Sequence, residues 1–192
     1  MLDEFIRFVD SVLPSVDPDF RDGAINAIKQ FEKDGKQINY IAYELLEELS
    51  QGDILSNVPF CYFDENGQQK RFVADAMVLT TSCHIDHKDK IELVPVFPIS
   101  FFEGEISQLK SNSIFDYMYI PDNLLAEKFI SFEYITAYSK ELIVKAIQTN
   151  RITRLGSLNQ IGYYFFIIKL SVYFFKTEDK DTLFKRGKGV SY

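Results

Sequence analysis

The chain has no tryptophan, two cysteines and two histidines in 192 residues. Two thiols, Cys61 and Cys83, are too few for a disulfide framework, and this scarcity fits a reduced, cytoplasmic setting. Long apolar runs are missing as well. The longest, Ile161–Phe175, spans 15 residues and carries Lys169, whereas a bilayer needs about 20. It therefore reads as a buried terminal element, with an aromatic-rich interfacial helix as the alternative, and no membrane is expected as a partner. The first ten residues mix acids with apolar side chains and lack a basic leader, so no secretory signal is expected. Basic excess is also absent. The net charge is -7, with a balance of -6 over residues 1–50 and -1 over residues 51–192. Neither half binds nucleic acid on charge alone, so any RNA contact would need a local patch.

What is present suits a folded core. Apolar residues make up 46% of the chain, including 18 phenylalanines and 11 tyrosines, enough to bury a core without disulfide or metal staples. The length fits one domain, or one with an appended subdomain. No internal repeat is visible.

Helical spacing predicts three helices in front: Leu2–Leu13, ended by Pro14; about Asp17–Phe31, stopped at Asp34-Gly35; and Ile38–Leu49, closed at Gly52. After Gly52 the texture becomes extended and aromatic. Asp53–Phe63 and Gln68–Thr81 read as strands joined at Asp64-Glu65-Asn66-Gly67, where Asn-Gly supplies the positive φ angles of a hairpin turn. A polar loop at Cys83–Asp89 leads to a strand over Ile91–Ile99, with Pro95 and Pro98 suggesting a bulge or an edge. A short strand is expected at Tyr117–Ile120, a longer one at Ile130–Tyr138, and a helix around Glu141–Ile147. The last dozen residues read as a solvated tail.

Four short phrases then fall in a telling order: Gly52-Asp53-Ile54, Val78-Leu79-Thr80, Pro98-Ile99-Ser100 and Arg154-Leu155-Gly156-Ser157-Leu158. Together they resemble the MazF/PemK/Kid toxins. That resemblance implies an α+β chain. Residues 51–176 would form an SH3-like β-barrel with a C-terminal helix, behind a three-helix acidic extension over 1–50 and before a tail over 177–192. It also implies a cytoplasmic endoribonuclease of the toxin–antitoxin type, free of metal and cofactor and commonly a homodimer, with single-stranded RNA as substrate and an antitoxin as protein partner.

Such cleavage uses the ribose 2′-hydroxyl as internal nucleophile, so the site must move two protons and stabilise phosphorane charge. The resemblance places Ser100 at the family's Ser/Thr position. The family's arginine has no match, because Ala74 and Asp75 stand where it would be, and Arg71 and Lys70 lie just upstream. His84 is the candidate acid–base. Both histidines lie in Cys83-His84-Ile85-Asp86-His87, which admits three readings: a polar loop with an inward cysteine, an active-site histidine, or a metal site drawing on Cys83, Asp86 or Cys61. Lys70, Lys88, Arg151 and Arg154 are the candidate RNA contacts. Lys88 reads as solvating its loop before it reads as a phosphate contact, and the two arginines equally suit the approach to the last helix. The aromatic run at 163–175 reads as buried or as subunit packing before it reads as a base-stacking surface.

Two other functions fit the same residues. The barrel could be a non-catalytic interaction module for a protein partner. Alternatively, the acidic front could lie across an RNA face as a built-in antagonist.

Overall fold

The computed structural model describes residues 22, 23, 25, 26, 29, 31 and 33, together with 39–42, 44–175 and 179–187. The helix expected over Leu2–Leu13 lies outside them. Those described between 22 and 33 are helical, as the second expected helix requires. Phe31 of that stretch stacks on Phe165 with ring centroids 4.4 Å apart.

The hairpin at Asp64–Gly67 sets the register of the sheet. Oδ1 of Asp64 accepts from the amides of Asn66 at 2.9 Å and Gln68 at 2.8 Å, and Gly67 takes φ +71°. Only the glycine is left-handed, so this is a turn followed by a glycine bulge rather than an Asn-Gly pair with two positive φ angles. It joins β2 (Asp53–Phe63) to β3 (Gln69–Val78), paired from Phe63 opposite Gln69 to Ile54 opposite Met77. The register shifts at Ser56-Asn57, where Asn57 has φ +59°, as in a bulge. A meander continues to β4 (Lys90–Pro98). Then follow β5 (Tyr117–Met118), β6 (Lys128–Ser131), β7 (Thr136–Ser139) and β8 (Thr153–Leu158), with β1 (Ile41–Ala42) at the front. The helices are α1 (Ser82–His87), α2 (Ile106–Lys110), α3 (Lys140–Gln148), α4 (Gln160–Phe174) and α5 (Lys180–Gly187).

The strand order is β1-β8-β2-β3-β4-β6-β5, with β7 also on β4, and the pairings are antiparallel. This corrects the expected closed barrel: among the described residues no pairing joins the two ends, and the sheet is open. Both end strands are two residues long, and Pro121, which has no N–H to offer a neighbour, follows soon after β5.

One face of the sheet packs on α4. Ile54, Met77, Val94, Val96, Met118 and Ile130 meet Phe165 and Phe166 there. On the opposite face Val58, Phe60, Ala76 and Leu93 meet Ile85 of α1 and Ile143 of α3. The glycine of Gly52-Asp53-Ile54 takes φ +86°, and a side chain there would lie 2.9 Å from Leu158. That phrase is built for packing.

Four further expectations change. The helix expected over Ile38–Leu49 is not formed: residues 39–42 and 44–50 hold β1 and bends. Backbone capture decides this. Ile41 pairs with Leu158, and the Asp122 carboxylate accepts from the amides of Tyr40 (3.0 Å) and Ile41 (3.2 Å). Leu45 and Leu46, which helical spacing assigned to the core, are exposed. The polar loop becomes α1, with Cys83 exposed and Ile85 as its buried residue. A 3-10 turn at Phe132–Tyr134 splits the strand expected over Ile130–Tyr138 into β6 and β7. The solvated tail contains α5, which buries no residue.

Candidate functional site

Alternation along β2, β3, β4 and β6 puts aromatic rings on one face of the sheet. Phe72 lies 5.3 Å from Phe60, 5.4 Å from Phe97 and 5.9 Å from Tyr134, centroid to centroid. Phe97 continues the row to Phe129 at 5.9 Å, and Phe129 to Tyr117 at 5.3 Å. All of these rings except Phe60 floor an open cleft of about 750 Å³, within the range of ligand sites.

The cleft exists because β3 and β4 part company. Their ladder runs from Val78–Leu93 to Asp75–Val96 and stops. The next hydrogen-bonding position of β4 toward β3 is Pro98, which has no N–H, while β4 continues along its other edge with β6, Pro98 opposite Lys128. Between Arg71 and Asp75, β3 therefore walls a gap that β4 no longer fills.

Polar groups ring the aromatic floor. Lys128 Nζ bonds Asp75 Oδ2 at 2.8 Å, and the Tyr117 hydroxyl donates to Glu133 at 2.6 Å. Burial, and then the bond to Glu133, push the Tyr117 pKa upward, and burial does the same for Tyr134. Both hydroxyls stay protonated donors at neutral pH. Arg71 and Glu103 line the cleft and are exposed; neither makes an ion pair among the described residues. Counting these seven groups, three carboxylates face two cations beside two neutral tyrosines.

The candidate residues read from the sequence do not converge. Arg71 borders the cleft, and Ser100 lies in the 3-10 turn Ile99–Phe101 just beyond β4, at the same end of the sheet. His84 is on α1, at the other end. The nine residues of β4 separate it from Ser100 by about 30 Å at the usual strand rise. Lys70 ion-pairs with Asp64 of its own hairpin at 3.4 Å. Lys88 follows α1, and Arg151 caps the turn before β8, its Nε donating to Thr149 at 3.1 Å. Arg154 is committed internally: it pairs with Asp53 at 2.8 Å and donates to the carbonyls of Leu46, Glu47 and Glu48. No three His, Cys, Asp or Glu side chains among the described residues are arranged to hold a metal ion.

No family model matches this chain, and no curated protein does. The geometry has to carry the reading.

Two features of the structure were missed in the sequence. The aromatic floor had a signal, since Phe60, Tyr62, Phe72 and Ala74 keep strand alternation. Its gathering with Phe97, Phe129 and Tyr134 needed the pairing of four strands. The second is Lys169, fully buried in α4, whose Nζ donates to the carbonyls of Asn112 (2.8 Å) and Ile114. It ties the helix to the loop that precedes β5.

Burial pushes the Lys169 pKa down to about 7, against a smaller upward pull from Asp116. The pKa is lowered on folding, so below pH 7 both folded and unfolded chains carry the proton and this group adds no slope. Between pH 7 and the ordinary lysine value only the unfolded chain binds it, and stability rises with pH. From pH 6.5 to 8.5 the gain is about 2 kcal/mol. Urea denaturation at those two pH values checks it, and Lys169→Met should remove most of the difference.

Proposed function

We propose that this chain is a non-catalytic interaction module that holds a segment of a protein partner in the aromatic cleft. The observation that carries this reading is a continuous ring floor opening beside a broken strand ladder. Neither Ser100 nor His84 lines the cleft. The charge supports a protein partner, with three cleft carboxylates against two cations on a chain of net charge -7. The comparison with an SH3-like fold belongs to this proposal. The β2–β3–β4 meander and the passage from β8 into α4 favour it, although the sheet is open.

One observation favours the MazF/PemK-like reading as a second. Arg71 is the cleft cation without an ion-pair partner, beside exposed rings of Tyr62 and Phe101 on which bases could stack. Under that reading the chain binds single-stranded RNA, and cleavage would need Arg71 and Ser100 without His84.

A single set of assays separates the two. The purified chain is incubated with labelled single-stranded RNA and, separately, screened against displayed random peptides. Intact RNA, with selected peptides whose binding falls at least about tenfold in Phe97→Ala, supports the module. Defined cuts that disappear in Arg71→Ala would replace it with the nuclease.

A further inference from the structure

Hydrogen-bond alternation shows what the broken ladder leaves open. In the hairpin, the Asp64 amide donates to the Gln68 carbonyl, so the mutually bonded pairs of β2 and β3 are Tyr62–Lys70, Phe60–Phe72 and Val58–Ala74. The amides and carbonyls of Gln69, Arg71 and Val73 consequently point away from β2. The same alternation holds further along, where the Leu79 amide donates to the Glu92 carbonyl, and Met77 and Asp75 turn toward β4. At Val73 the residue across would be Pro98, the last of β4, and no pairing is made there.

The two edges of this ribbon are treated differently. The outer edge of β2 is blunted: Pro59 has no N–H, and its carbonyl already accepts from the Tyr138 hydroxyl at 2.8 Å. Among the described residues no strand pairs with the β3 edge between Gln69 and Val73, where Lys70 and Arg71 supply the charge. It has no proline, its Val73 is 65% exposed, and it runs along the wall of the cleft. An unpaired strand edge is a template for another strand.

We infer that the β3 edge Gln69–Val73 accepts one extended segment of a partner protein by strand addition. The segment lays an apolar side chain on the Phe72, Phe97 and Tyr134 rings at every second position and carries a Lys or Arg within reach of Glu103 and Glu133. This deepens the module reading and rests on it. Main-chain bonds to Arg71 and Val73 supply affinity independent of sequence, and the ring floor selects every second side chain. The acidic excess of the cleft sets the preference for a basic segment.

The edge can be blocked without touching the floor. Val73→Pro removes one outward N–H that β2 does not use, at an exposed edge position that tolerates proline. Val73→Thr is the control, keeping the N–H on a β-branched side chain. The probe is a displayed library of random heptapeptides selected on the full chain.

The expected result is selection of alternating apolar sequences containing Lys or Arg. Their affinity should fall roughly tenfold or more in Val73→Pro and stay within about threefold in Val73→Thr. The Arg71 and Val73 amides should gain hydrogen-exchange protection in the complex. Matching circular dichroism and denaturation midpoints of the two variants show that folding is not the cause.

Peptides that bind Val73→Pro as well as the parent, or that are proline-rich, overturn strand addition while leaving the module reading intact. A concentration-dependent dimer that competes with the peptides and is lost in Val73→Pro overturns the hetero-partner in favour of a second copy. No selected peptide, with single-stranded RNA bound instead, overturns both readings.

Discussion

Replacing Asp53 by alanine lowers stability by about 3–5 kcal/mol, the usual cost of leaving a buried charge without its partner. Asp53 is fully buried and Arg154 nearly so, with 13% of its side chain exposed, and they meet at 2.8 Å. The same carboxylate oxygen accepts from the Ser50 amide at 2.9 Å. The guanidinium gathers the carbonyls of Leu46, Glu47 and Glu48. One ion pair thus pins the bent segment after β1 across the β2–β8 ladder. Without Asp53, the cation keeps only backbone dipoles in a site shielded from water. Yet the pair is incompletely satisfied, since Asp53 Oδ1 and Arg154 Nε have no hydrogen-bond partner among the described residues. Removing both charges should therefore cost less than removing the acid alone. Urea denaturation of Asp53→Ala, Arg154→Met and the double variant measures this. A loss under about 1 kcal/mol for Asp53→Ala would show that the pair is solvated rather than buried. The same experiment bears on function, because Arg154→Met should act on stability and leave ligand binding at the cleft unchanged.

The second large effect reverses a general rule. Alanine in place of glycine inside a helix ordinarily stabilises by about 0.5–1 kcal/mol. Gly162→Ala, in the first turn of α4, is expected to destabilise by about 3 kcal/mol. A Cβ there would run into the carbonyl oxygen of Tyr40 and lie 3.1 Å from Leu158 Cδ2. The obstacle is backbone, and that backbone is fixed: the Tyr40 carbonyl accepts from the Asn159 amide at 2.9 Å, while its amide is held by Asp122. Asn159 also caps α4, its Oδ1 accepting from the Gly162 amide at 2.9 Å. The helix start therefore has no direction in which to move. A thermal midpoint equal to or above that of the parent chain would refute this close approach.

Local patterns carried the elements whose causes are local. The turn at Asp64–Gly67 follows from an aspartate that can accept from two nearby amides and a glycine that can take positive φ. The helix at Glu141–Ile147 and the short strand beginning at Tyr117 also sit where periodicity and a following proline put them. Arg71 was singled out from the sequence, and it does border the cleft. Failures came where two parts of the chain competed for one backbone. Residues 38–49 have helical spacing, but Asp122 and Leu158 offered the Tyr40 and Ile41 amides and the Ile41 backbone better partners than a helix would have, where each amide donates to the carbonyl four residues back. Arg154 looked like a surface cation until Asp53, about a hundred positions away, claimed it.

By itself the sequence determined where β2, β3, β4 and β5 begin, where the hairpin turns, and that an aromatic element would be buried near the end, because propensity, turn chemistry and hydropathy act over a few residues. The tertiary structure alone decided that the sheet stays open, that β4 leaves β3 at Pro98, and that rings from four strands share one cleft. Those outcomes depend on which distant segment reaches a given hydrogen-bonding edge first, and no local pattern encodes that choice.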